Sequence, residues 1–193
     1  DLHSFPTRRS SDLWQIARRL SAWHAACARP DLYLKGNSVD KILLRLATFG
    51  GIGFLPGAPG TWASAVTALL WLAITCFLPI RPAPYWLIVA ILFVVGLISA
   101  GAAEKILDQA DPGSVVIDEV VGQLIALYAA PAHPVAACAA FLLFRIFDIW
   151  KPFPVSWLDS HLHGGIGIML DDVMAGIYAL LVLQVGLFVV RLF

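Results

Sequence analysis

Two stretches concentrate the reactive side chains of this chain. One reads Phe144-Arg145-Ile146-Phe147-Asp148-Ile149-Trp150-Lys151-Pro152-Phe153-Pro154, the other His163-Gly164-Gly165-Ile166-Gly167-Ile168-Met169-Leu170-Asp171-Asp172. They set three carboxylates, an arginine, a lysine and a histidine into a chain that is 60% hydrophobic. Charge beside long apolar runs is costly and marks chemistry or transport. The residue types suit phosphate chemistry assisted by a metal, since carboxylates hold a hard cation, and Arg and Lys hold a phosphate. Arg145 and Asp148, and again Asp148 and Lys151, stand three apart, so a salt-bridge ladder along one helix would account for those three. It would not account for Asp171 and Asp172. His163 alone carries little, because a single histidine is more often structural than a ligand.

A second acidic pair lies in Asp111-Pro112-Gly113-Ser114-Val115-Val116-Ile117-Asp118-Glu119-Val120-Val121-Gly122. Adjacent residues on a helix point about 100° apart, so Asp118 and Glu119 need not share one ligand. Acids at a helix N-terminus are favoured by up to about 1 kcal/mol, which is the plain alternative. The flanking valines and isoleucine argue for burial, which raises both pKa values unless a cation compensates. Asp118, Glu119, Asp148, Asp171 and Asp172 gathered at one place repel strongly without cations. Magnesium is the natural neutraliser, and the five are the expected catalytic and metal residues. Mg2+ keeps several waters and takes only one or two carboxylates directly, so some of the five orient others.

The segment Gly50-Gly51-Ile52-Gly53-Phe54-Leu55-Pro56-Gly57-Ala58-Pro59-Gly60-Thr61 precedes an apolar run. No Gly-Lys-Ser/Thr follows, so it is not a Walker loop. Thr61 is expected to cap the following helix with Ser64 one turn further in, and the helix start is a place for an anion. Thr61, Ser64, Arg145, Lys151 and His163 are the expected substrate contacts.

Composition says where such chemistry sits. Mean hydropathy is +0.81 and only 13% of residues are charged, against about 25% in soluble domains. Membrane is the expected partner. Net charge is zero, so nothing suggests nucleic acid. Cys27, Cys76 and Cys138 lack metal-ligand spacing and read as small buried hydrophobes. Residues 62–80, 82–103, 120–144 and 173–190 contain no Asp, Glu, Lys or Arg. About 20 residues cross a bilayer core, so the first, second and fourth runs fit one helix each. Pro131-Ala132-His133-Pro134 splits the third into two short helices, roughly 114–130 and 135–150.

The expected fold is therefore an all-α, polytopic membrane bundle of four to five helices. Eight basic residues lie between Arg8 and Arg45, so the face carrying the N-terminal region is expected to be cytoplasmic. With five crossings, residues 50–61, Asp118-Glu119 and residues 145–172 converge on it, while Arg81, residues 131–134 and the C-terminus lie opposite. Residues 1–40 differ from the rest and read as a leader outside the main domain, residues 41–193. Their beginning is similar to translated sequencing-adaptor sequence, and residues 14–28 have the pattern of a basic amphipathic helix.

The ordered motifs also resemble a known family. Pro56-Gly57-Ala58-Pro59-Gly60-Thr61, Val116-Ile117-Asp118-Glu119 with Gly122, Phe144-Arg145 through Pro154, and His163-Gly164-Gly165 through Asp172 are similar to those of the phosphatidylglycerophosphatase A family. The resemblance runs from about Leu46 to the last apolar run, with Ala63 where Gly is frequent. It implies a predominantly helical, Mg2+-dependent bacterial inner-membrane enzyme that removes the terminal phosphate of phosphatidylglycerophosphate. The attacking group stays open between a metal-positioned water and an aspartate. Signatures of CDP-alcohol phosphatidyltransferases, histidine-nucleophile lipid phosphatases and Asp-x-Asp phosphatases are absent from the sequence. An ion carrier would want charges near the midplane and internal repeats, whereas here the charges cluster at the ends of the apolar runs.

Overall fold

The structure, a computed structural model, describes residues 37–78, 81–153, 155 and 164–192. The leader through residue 36, and His163, lie outside the described residues. The described chain is all helical: α1 (Ser38–Ala47), a 3-10 turn (Phe49–Phe54), α2 (Pro59–Phe77), α3 (Pro82–Leu107), α4 (Ile117–Leu127), α5 (Pro134–Trp150) and α6 (Gly164–Leu192). Asn37 caps α1 by accepting from the Asp40 N–H at 2.9 Å, and Asp40 accepts from the Asn37 N–H at 3.2 Å. Among the described residues, the first helix thus starts just ahead of residue 41.

Among the described residues, three helices are long and apolar enough to cross a membrane: Pro59–Phe77, Pro82–Leu107 and Gly164–Arg191. Length alone shows three of the expected four to five crossings. α4 has 11 residues and α5 has 17. At 1.5 Å per residue they rise about 16 and about 25 Å, short of a hydrocarbon core of about 30 Å. The split itself falls where the prolines put it. Pro134 opens α5 and the His133 side chain accepts from the Val135 N–H at 3.2 Å, capping the helix. Cys76 and Cys138, expected to be buried, are exposed on the bundle.

Other boundaries differ from expectation. α2 starts at Pro59 with Ala58 as its cap residue, so Thr61 is already inside the helix and does not cap it. Proline at the first helical position is pre-organised and loses no hydrogen bond there. α6 begins at Gly164, nine residues before the charge-free run 173–190. Glycines cost a helix up to about 1 kcal/mol each relative to alanine, but burial of Ile168 and Met169 in the core holds this segment helical. Asp171 and Asp172 therefore sit two turns inside a helix. Lys151 ends α5 in a left-handed conformation, φ 45°, and Pro152 follows, which stops the helix.

The main core joins Leu44, Trp71, Val116, Val121, Leu127 and Met169, and a second cluster joins Ala126, Phe144, Ala175 and Ala179. α4 is the central element and packs on α2, α3, α5 and α6. Its approach to α6 is close. A Cβ on Gly176 would lie 2.5 Å from the Gly122 carbonyl oxygen, and one on Gly122 would lie 2.6 Å from the Asp172 carbonyl oxygen. Small residues at helix crossings allow such approach in membrane bundles. Gly176→Ala is therefore expected to force the helices apart. Overpacking of this kind costs about 1–3 kcal/mol, so thermal unfolding in detergent should start at a clearly lower temperature. An unchanged transition would show that the crossing relaxes freely.

Candidate active site

The crossing sets the first turn of α4 against the third turn of α6. Asp118 and Glu119 occupy that first turn, where helix geometry favours acids, and Asp172 faces them one turn above Gly176. One carboxylate oxygen from each of the three lies within 4.8 Å of the others. The two adjacent acids of α4 thus do share one locus, completed by a third from α6. Asp118 Oδ1, Glu119 Oε2 and Asp172 Oδ2 are buried and accept no hydrogen bond. Buried carboxylate oxygens without donors cost free energy unless a cation meets them. Asp118, Glu119 and Asp172 fit a hard divalent ion, since all three are oxygen donors.

Asp148 and Asp171 line the same cavity, of about 280 Å³, but differ in partnership. Asp148 pairs with Arg145 Nη1 at 2.6 Å, and Asp171 pairs with Lys151 Nζ at 2.8 Å. The ladder expected along α5 is thus half formed. The left-handed turn at Lys151 takes its side chain off the helix surface and across to α6. Arg145 Nη1 also lies 3.7 Å from Glu119. Lys151 lines the cavity, whereas Arg145 stands behind Glu119 and Asp148.

The glycine-rich segment reaches this site through Gly60. A Cβ there would collide with the Glu119 carboxylate and lie 3.2 Å from Arg145 Nη1. What the segment contributes is the space into which Glu119 fits. Neither Thr61 nor Ser64 lines the acidic cavity, and Ser64 is fully buried in α2. Sequence reasoning missed Glu104 and Asp111, which do line it. Glu104 accepts from the Asp111 N–H at 3.1 Å and so ties the end of α3 to the loop before α4. Its signal was present: Glu104 is the first charge after the apolar run of α3. Gln123 was also missed. It is one turn along α4 from Glu119 and fully buried, with neither amide atom hydrogen-bonded.

A profile of the phosphatidylglycerophosphatase A family matches residues 45–187. The chain belongs to the phosphatidylglycerophosphatase A family. It is 40% identical over 133 residues to phosphatidylglycerophosphatase A of Escherichia coli, covering 68% of this chain and 76% of that one. It is 39% identical over 138 residues to the Haemophilus influenzae phosphatidylglycerophosphatase A, covering 71% and 83%. A Bacteroides thetaiotaomicron protein provisionally named phosphatidylinositol-3-phosphatase is 37% identical over 150 residues, covering 75% and 93%. No solved structure matches the chain. The three clustered acids, the two paired acids and both paired cations all fall inside the region of this phosphatidylglycerophosphatase A match.

Electrostatics give a test that needs no substrate. Asp118 and Glu119, outside the three long apolar helices, are both pushed well above the ordinary carboxylate range. Burial is the main cause for each; Glu119 and Asp171 add to it for Asp118, and Asp172 adds to it for Glu119, against the lowering effect of Arg145. An acid whose folded pKa is raised favours folding while protonated. That contribution is complete below the unfolded pKa and is lost as pH rises through the folded one. Metal-free protein should therefore lose thermal stability from the ordinary carboxylate range upward. A divalent cation should restore it chiefly at the high-pH end and release protons on binding. Stability indifferent to both pH and cation would contradict this electrostatic picture.

Proposed function

We propose that this chain hydrolyses the phosphomonoester of phosphatidylglycerophosphate to phosphatidylglycerol and inorganic phosphate. The reaction is Mg2+-dependent and runs at the cytoplasmic face of the bacterial inner membrane. The observation that carries this reading is the trio Asp118, Glu119 and Asp172, with their donor-free buried oxygens, in a member of this enzyme family. In the reaction a water oxygen bonds to phosphorus, the ester P–O bond breaks, and the departing glycerol oxygen takes a proton. Asp118, Glu119 and Asp172 would hold the ion. Mg2+ held there supplies positive charge against the phosphoryl oxygens. Asp148 and Asp171 keep Arg145 and Lys151 beside it. Lys151, on the cavity wall, meets the phosphoryl group, and Arg145 fixes Glu119 and Asp148 and lends its fork to the phosphate. Thr61 and His163 belong to the same proposal as outer contacts of the headgroup, whereas Ser64, fully buried in α2, does not.

Membrane geometry supports a lipid substrate. The apolar helix Gly164–Arg191 has 28 residues, about 42 Å, which exceeds a core of about 30 Å by roughly eight residues. With Arg191 at the far boundary, Asp171 and Asp172 come at the depth where hydrocarbon gives way to headgroups. A headgroup phosphate then meets the acids without leaving the bilayer.

Phosphate release from phosphatidylglycerophosphate in detergent should require Mg2+ and stop reversibly in excess chelator. Arg145→Lys should lose about 10- to 100-fold in turnover, the usual cost of disturbing groups that orient a metal site, because an ammonium cannot hold Asp148, Glu119 and a phosphate at once. Activity undiminished by chelator would end the metal assignment. A second substrate has one observation in its favour, the name of the Bacteroides relative. Rates on phosphatidylinositol 3-phosphate and phosphatidic acid, measured beside phosphatidylglycerophosphate, decide between them, and a far better rate on either overturns this substrate.

We propose further that α4 and α5 cross together as a hairpin, and this sidedness has its own test. With Cys27, Cys76 and Cys138 replaced by Ser, single cysteines at Asn37 and His133 should react with an impermeant thiol reagent from opposite sides of the membrane. Labelling from the same side would remove the proposed topology.

A further inference from the structure

A second cavity, of about 440 Å³, lies between α2 and α3, with Val120 and Leu124 of α4 as its floor. It shares no lining residue with the acidic cavity. Its walls are chiefly apolar: beside the buried Trp71 Nε1–H, which has no acceptor among the described residues, they carry three hydroxyls. Thr67 donates to the Ala63 carbonyl at 2.8 Å, Thr75 to Leu72 at 3.0 Å, and Tyr85 to Leu124. Each hydroxyl is already committed to a backbone oxygen.

Arg81, exposed, is the one charged residue of this lining, and it stands at the α2–α3 turn, away from the acids. From Thr67 to Leu78 the slot follows α2 for about 16 Å at 1.5 Å per residue. Beside Arg81, Tyr85, Trp86 and Tyr128 form an aromatic group, with Trp86 and Tyr128 centroids 4.7 Å apart. Such groups mark the level of lipid headgroups.

We propose that this slot holds one acyl chain of an anionic phospholipid from the leaflet opposite the acidic site, with its phosphate on Arg81. The inference rests on α2 and α3 crossing the membrane. A long apolar slot with one cation at its mouth matches an amphiphile with one negative head. No carboxylate lines it among the described residues, so nothing there meets the ammonium of a zwitterionic lipid. The substrate of the acidic site is a poor occupant, because α4 stands between the two cavities.

The test uses the full chain in nanodiscs of mixed phosphatidylcholine and phosphatidylglycerol, released into detergent for native mass spectrometry. Wild type should retain one phosphatidylglycerol that the slot variants lack. Arg81→Gln should lower the phosphatidylglycerol-to-phosphatidylcholine ratio of bound lipid about tenfold or more, the worth of one charge-assisted contact. Ile74→Trp, and independently Ile88→Trp, should fill the slot and remove the bound lipid of either kind. Both positions are half exposed on the outside of the bundle, so a larger side chain does not disturb the core. Phosphate release by Arg81→Gln should stay at the wild-type level, which separates this site from the acidic one. Equal occupancy and equal ratio in wild type and all three variants overturn the proposal, as does wild type that retains no lipid. A chain extracted from membranes by alkaline carbonate overturns the membrane-crossing reading instead.

Discussion

The contact between Gly122 and Gly176 is the constraint on which the site depends. It brings α4 and α6 close enough that Asp118, Glu119 and Asp172 share a space of 4.8 Å. Two like charges at that separation repel by roughly 3 kcal/mol at an effective dielectric near 20. Three such pairs oppose the crossing with an energy comparable to the whole stability of a typical domain, about 5–15 kcal/mol. The bundle tolerates this in two ways. Protons can occupy Asp118 and Glu119, whose pKa values rise on burial, or a cation can take their place. The charge of the candidate site and helix packing are therefore coupled through the same few oxygens.

The surrounding elements manage the remaining charge. Asp148 and Asp171 each have a cation of their own, supplied from the end of α5. This is why α5 stops where it does. Had the helix continued past Trp150, Lys151 would have stayed on the surface that carries Asp148, and Asp171 would have lacked its partner. The Tyr178 hydroxyl donates to the Phe153 carbonyl at 3.0 Å, fixing the chain just after this turn against α6. Lys151 is thus held from both sides, by its own backbone conformation and by the anchored segment beyond it.

Much of this was legible in the sequence, and the parts that were not share a cause. Charge-free runs located α2 and α3, and the prolines at 131 and 134 located the break between α4 and α5. The acids were picked by type and place. What failed were local boundaries decided by neighbours far away in the chain. Proline at position 59 starts α2 two residues before the threonine that a capping rule selects. Glycines at 165 and 167 look like a loop until the buried Ile168 and Met169 make them part of α6. Crossings beyond three do not follow from helix length, for another reason. Burial inside a bundle and burial in lipid select the same apolar residues, and only helix length separates them.

The division of the five acids carries a consequence for how a phosphate reaches them. Among the described residues, Asp148 and Asp171 pair closely with Arg145 and Lys151, Glu119 has Arg145 only at 3.7 Å, and Asp118 and Asp172 pair with no cation. A divalent ion leaves the ionised trio still negative, so a phosphomonoester dianion meets net repulsion from a site of opposite purpose. The repulsion falls only if a proton remains on one acid or if a cation turns from its carboxylate to the phosphate. Lys151 is the better placed of the two. Its side chain is 29% exposed and its partner Asp171 already accepts from the Asp172 N–H at 3.0 Å, so that carboxylate keeps a donor when the lysine leaves. Arg145 is more enclosed, since its Nε is buried and its fork lies between Asp148 and Glu119. The lysine is therefore the more exposed cation of this site and the arginine the more enclosed one.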